Sequence, residues 1–108
     1  MTVNDLLLNE NFTAITLTDG EREISDVYIG DLLSWVMGRA KPDDAWITIM
    51  SNVNILAVAS LVDTACIILA EGVTVDDEIK NTALQKNINI ISTEFSAFEA
   101  AVSINDLL

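Results

Sequence analysis

Six side chains of hydrogen-bonding type stand where a ligand would be held: Thr48 in a strand, Ser51, Asn52 and Asn54 in the turn after it, and Ser92 and Thr93 in another turn. None is a strong nucleophile or base without help, so the chemistry they suit is recognition. The first four lie in Ile47–Thr74, which reads as strand, polar turn, apolar helix, second strand and glycine turn. A helix that starts beyond the end of a parallel strand presents free amides and favours anions and small ligands. The same residue types also cap helices, and Ser51 or Asn52 suits the N-cap position. Capping is the commoner role, because every helix has first-turn amides to satisfy. The two roles are compatible. Ser92 and Thr93 are placed at the start of the last helix. If the last two strands are parallel neighbours, both polar turns share one rim.

Catalysis finds few materials. The chain has no histidine, so no Ser-His-Asp or Cys-His arrangement can be built. One cysteine, Cys66, and no histidine exclude an ordinary structural zinc site and an internal disulfide. Glycine occurs at 20, 30, 38 and 72, so neither common phosphate-cradling loop can be written. Carboxylates are plentiful but unfocused. Asp76, Asp77 and Glu78 suit the first turn of a helix, where acids complement the dipole. Asp43 and Asp44 read as loop solvation, and Asp63 as a cap at the end of an apolar helix. The expectation is a non-enzyme with no catalytic residue, no metal and no cofactor.

The elements that would position these residues follow from periodicity. Asn4 or Asp5 is expected to cap a short first helix in "VNDLLLNE". "FTAITL" and "ISDVYIG" read as strands, and "DLLSWVMGRA" as a helix with Leu32, Leu33, Val36 and Met37 on its apolar stripe. "WITIM" is a strand, and "NILAVASLVD" a helix apolar almost all round, expected to be buried on more than one side. "ACIILA" is an unbroken apolar strand of the parallel-sheet type. "TVDDEIKNTALQKN" is an amphipathic helix with Thr74 and Asp77 as a capping box. "INIIST" is a strand and "EFSAFEAAVSINDLL" the final helix. From Trp46 the order is β-α-β-α-β-α, which requires parallel strands with crossover helices. Met37, Met50, Trp35 and Trp46 read as core or interface.

Composition narrows the partners. The chain has 108 residues and is expected to form one domain over 1–108. Half of it is hydrophobic (51%), enough for a core with apolar surface to spare, so a twofold homodimer is expected. Seventeen acids against five bases give a net charge of −12, which disfavours nucleic acid and anionic membranes as partners. The longest apolar stretch, 55–70, is broken by Asp63 and falls short of the roughly 20 residues of a spanning helix. No basic segment precedes the first leucines. A cytoplasmic location is the expectation.

The stretch from Tyr28 to Ala101 resembles the DRTGG domain family. The matching pieces are Gly30-Asp31-Leu32-Leu33, Ile47-Thr48, Asn54 followed by Ala57-Val58, the apolar strand ending at Gly72, and the strand end at Ile90–Thr93. The pentapeptide that names the family is absent. The resemblance implies an α/β fold, a compact sandwich with a mostly parallel sheet flanked by helices, similar to the N-terminal domain of HPr kinase/phosphorylase. It implies an accessory, regulatory or dimer-forming role rather than a catalytic one, and a metabolic or redox enzyme as partner. Family members stand beside CBS domains in regulated pyrophosphatases. Stand-alone relatives, some near iron-hydrogenase genes, imply the alternative of an interaction scaffold or assembly factor. No P-loop supports a kinase role. The functional expectation is a module that senses a small ligand, with a nucleotide as candidate, near Thr48–Asn54 and Ser92–Thr93.

Overall fold

A computed structural model describes residues 1–108. Five strands form one sheet: β1 (Thr13–Thr16), β2 (Asp26–Ile29), β3 (Asp44–Thr48), β4 (Cys66–Leu69) and β5 (Ile90–Ser92). The helices are α1 (Val3–Leu7), α2 (Leu33–Arg39), α3 (Asn54–Val62), α4 (Asp77–Gln85) and α5 (Ala97–Asn105). Strand order is β1-β5-β4-β3-β2. β2 to β5 are parallel, and β1 runs antiparallel to β5. The α/β sandwich with a mostly parallel sheet is therefore present.

The layering follows from connection handedness. Each crossover from β2 to β5 steps to the next strand in the same direction, so right-handed connections put α2, α3 and α4 on one face. Their apolar residues Val36, Leu56, Val58, Ile79 and Ala83 pack there with Trp46, Ile67 and Leu69. The opposite face is left to the two terminal helices. Val3 and Leu6 of α1 and Ala100 and Ile104 of α5 cover Ala45, Ile47, Cys66 and Ile68. β4 is buried along its whole length, as its unbroken apolar run requires. Burial pushes the Cys66 thiol up to about 12, so this sulfur is inert packing rather than a reactive group.

The helix caps differ from the sequence expectation by a few residues. Thr2 caps α1 in a reciprocal box with Asp5, in place of Asn4 or Asp5 as cap. Asp76 rather than Thr74 caps α4, accepting from Ile79 N at 2.9 Å. Ser96, boxed with Glu99, caps α5, so Ser92 and Thr93 end a strand instead of starting a helix. In each case several capping residues lie within one turn, and the apolar face that must meet the sheet decides among them. α3 buries one side only: Ala57, Ser60 and Leu61 face solvent. On α2, Val36 is buried and Leu33 packs against the core, while Leu32 and Met37 stay exposed. Trp35 is also exposed, with the Arg39 guanidinium 3.7 Å from its ring centroid.

Two αL aspartates close the amino end of the sheet. Asp43 (φ 69°) and Asp63 (φ 66°) both receive Arg22, at 2.9 and 3.2 Å. Arg22 Nη2 also donates to the Asp63 carbonyl at 2.7 Å. Burial works against the Arg22 charge, but hydrogen bonds to the two aspartates outweigh it and raise its pKa. Asp63 does end α3 as expected, as its αL C-cap.

Candidate functional site

The six candidate residues all lie at the carboxyl end of the parallel sheet, but they form two groups. β4 separates β3 from β5, so the groups stand about two strand spacings, ~10 Å, apart.

The first group surrounds the β3–α3 turn. Thr48 is buried and fully engaged: its hydroxyl donates to Asp31 Oδ1 at 2.8 Å and accepts from Met50 N at 3.1 Å. Asp31 Oδ1 also accepts from Ile49 N at 2.9 Å, so one carboxylate clasps the loops after β2 and β3. Asn52 is exposed, and its side-chain oxygen accepts from Asn54 N at 2.9 Å. Val53 occupies the N-cap position without a side-chain bond. The next amides, of Ile55 and Leu56, donate to the Asn52 and Val53 carbonyls. The helix start is thus closed on itself by an Asx turn, where the sequence pointed to Ser51 or Asn52 as N-cap. Ser51 and Asn54 are exposed and make no side-chain hydrogen bond within the chain.

The second group lines a cleft of about 230 Å³ between the β4, β5 and β1 ends. Ser92 and Thr93 share it with Thr13, Thr74, Glu10 and Glu94, and no hydrophobic side chain enters the lining. Its floor is a tight turn with positive φ at Glu71 (61°) and Gly72 (71°), closed by Val73 N to the Ala70 carbonyl. Positive φ at both central residues is the type I′ pattern. Glu71 N and Gly72 N donate to the Phe95 and Thr93 carbonyls, which locks the turn to the β5–α5 loop. A methyl on Gly72 would lie 2.5 Å from Glu94 Oε2, so glycine serves both the backbone and the cleft. Thr93 is buried, and its hydroxyl accepts from Phe95 N at 3.1 Å. Ser92 donates to the Thr13 carbonyl at 3.4 Å.

The family model for the DRTGG domain matches residues 8–107. The chain belongs to the DRTGG domain family. Among solved structures, this DRTGG domain is similar to the CBS and DRTGG domains of the regulatory region of Clostridium perfringens pyrophosphatase, complexed with the activator diadenosine tetraphosphate. The TM-score is 0.74 at 19% identity, over 95% of this chain and 45% of that one. The present chain therefore spans less than half of that region, and the likeness is one of fold. No curated protein matches the chain.

Sequence reasoning missed Asp31, Glu10, Asn11 and Thr13 as parts of this rim. Asp31 precedes α2 and reads as a cap; its partners lie 17 and 18 residues away. Glu10 to Thr13 reach the rim only because β1 pairs with β5. No cluster of three metal-ligating side chains is present, and no helix is long and apolar enough to cross a membrane.

Proposed function

We propose that this DRTGG domain is a non-catalytic regulatory module. It senses a small ligand, a nucleotide as first candidate, and transmits binding through a homodimer to a metabolic or redox enzyme. The polar cleft carries this reading. Asn11, Thr13, Thr74 and Ser92 offer amide and hydroxyl groups that suit a ribose or a base edge. Glu10 and Glu94 repel a bare phosphate, so a divalent cation would have to bridge phosphate to carboxylate. Ser51 and Asn54 of the neighbouring turn extend the same rim. Thr48, Asn52 and Thr93 shape it through the bonds described above. The regulatory region of the similar pyrophosphatase, with its nucleotide activator, supports the same direction.

The test is the melting temperature of the domain against a panel of nucleotides, with and without magnesium. Ligand at about 100 times its dissociation constant stabilises the folded state by about 2.7 kcal/mol. For a domain of this size that is an upward shift of about 10 °C or more. Magnesium dependence is expected. Ser92→Ala and Asn54→Ala should reduce the shift and leave the unliganded melt nearly unchanged. A flat response across the panel contradicts the sensor. The apolar groove between β2 and α5 then favours the second reading, an interaction scaffold or assembly factor without a small ligand.

A further inference from the structure

The β2 side of the molecule combines three features found together nowhere else on it. First, β2 ends the sheet with an open edge. Gly30 N donates inward to the Ile47 carbonyl in the register Tyr28↔Trp46. Strand alternation therefore turns the N–H and C=O of Val27 and Ile29 outward. The Val27 amide finds only the Asp26 carboxylate beside it, at 2.8 Å. Second, α5 covers this end of the sheet incompletely. A groove remains between β2 and α5, lined by Val27, Ile29, Phe98, Ala101, Val102 and Leu108. Phe98 is 65% exposed and Ile29 49%. Third, the groove is nearly free of charge. Of the chain's 17 acids only Asp26 lines it.

We infer that the β2 edge and the β2–α5 groove form the homodimer face, with β2 pairing antiparallel to β2 of a second copy about a twofold axis at Tyr28. This inference rests on the dimeric reading proposed above and supplies its surface. The geometry is self-complementary. With Tyr28 opposite Tyr28, Val27 of each copy faces Ile29 of the other, and these pairs exchange both N–H···O bonds. Each groove brings its Phe98 and Val102 to the same axis. The charge of the groove permits the contact. Two copies at −12 repel each other overall, and a contact centred on this groove brings in one carboxylate, Asp26, from each copy.

Size adds a constraint. A standard interface hides about 800 Å² per partner, roughly one-seventh of the chain's 5548 Å². That is the scale of a whole side of a body 30 × 27 × 25 Å. The contact must extend beyond the groove toward α2, which joins β2 to β3. Exposed Leu32 and the Trp35–Arg39 pair there are of the type that anchors interfaces.

The test is sedimentation of the full chain over a range of concentrations, with Ile29→Asp and Phe98→Asp beside the wild type. Circular dichroism melts confirm that each variant folds; Phe98 is exposed enough that its replacement leaves the core intact. Both substitutions should weaken dimerisation at least tenfold. Tyr28→Cys supplies an independent readout. Facing residues of a non-hydrogen-bonded pair lie about 4.5 Å apart at Cα, within disulfide reach. The native Cys66 is buried and does not compete. The expected result is a dimer weakened by both aspartates and, in the Tyr28→Cys variant, covalently linked on oxidation through the introduced thiols. A dimer that survives both aspartates and does not crosslink overturns this face and leaves the dimeric reading standing. A wild type that stays monomeric at every concentration overturns both.

Discussion

The sheet has two edges, and they are finished in opposite ways. β1, at one end, is antiparallel and bulged: its register shifts between Ala14 and Thr16. Buried side-chain bonds fasten it. The Thr16 hydroxyl donates to the Ile88 carbonyl at 2.7 Å and accepts from Ile90 N at 3.0 Å. Asn89 receives Thr18 N and Asp19 N, and donates to the Asp19 and Ala65 carbonyls. Glu10 and Asn11, just before β1, and Glu94, just after β5, line the polar cleft at this end. β2, at the other end, is parallel and unbulged, with apolar residues beside it and a single carboxylate on its edge. Natural sheets blunt their edges with bulges, charges and short strands. One edge here is bulged and pinned by buried side chains, and its start borders the polar cleft. The other is equally short and has one carboxylate, but it is unbulged and unpinned, which suits the dimer face proposed above.

The strongest way to break this contrast is to unfasten β1. Asn89→Ala removes the partner of the buried Ala65 carbonyl and of the part-buried Thr18 and Asp19 backbone groups. It should cost about 3 kcal/mol in urea denaturation; a loss under about 1 kcal/mol would show that the β1 edge is not held this way. Thr16→Val removes a donor and an acceptor at once while keeping shape, and should cost about 1–2 kcal/mol.

At the opposite end, Asp44 is a buried carboxylate at the start of β3, paired in register with Asp26 of β2. Burial raises its pKa above the ordinary 3.8; the hydrogen bond from Lys41 N opposes this, and the nearby Asp26 charge adds to it. The folded state thus holds the Asp44 proton more tightly than the unfolded chain does. The contribution of Asp44 to stability is largest in acid, falls as pH rises from about 3.8 through the raised folded value, and is flat above. Asp44→Asn does not titrate. Its stability relative to wild type should rise across that interval, and a difference independent of pH would contradict the assignment.

Smaller effects sharpen the same picture. Asn52→Ala, which opens the Asx turn before α3, should cost about 1 kcal/mol, whereas Ser51→Ala should stay within about 0.5 kcal/mol. Screening the −12 charge at ionic strengths with a Debye length below about 10 Å should strengthen self-association several-fold.

The sequence announced the half of the molecule whose contacts are local or repetitive. The β-α order from Trp46 onward pointed to the parallel core, and the unbroken run "ACIILA" read correctly as a buried strand of a parallel sheet. The family resemblance also held, over residues 8–107. Long-range pairing was not legible. Nothing in Thr13–Thr16 says that it lies beside β5 and brings Glu10 and Asn11 to the rim. Arg22 meets Asp43 across 21 residues and the Asp63 carbonyl across 41, and no spacing rule reveals such a bridge. Caps were misplaced wherever two or three capping residues crowd one turn, as at Thr74 to Asp77 and Ser92 to Ser96. Burial of the following apolar residues makes that choice, and it depends on the sheet being in place. The open β2 edge was foreshadowed only as an apolar surplus, because periodicity does not show which strand comes last in a sheet.

Amide hydrogen exchange at single-residue resolution, followed from dilute to concentrated protein, tests the contrast most directly. The prediction is that Val27 and Ile29 exchange freely when dilute and become protected with rising concentration. Ile90 and Ser92, on the fastened side, should hold the same protection throughout. Protection at Val27 and Ile29 that does not depend on concentration would contradict the account, because the β2 edge would then be closed by something other than a second copy.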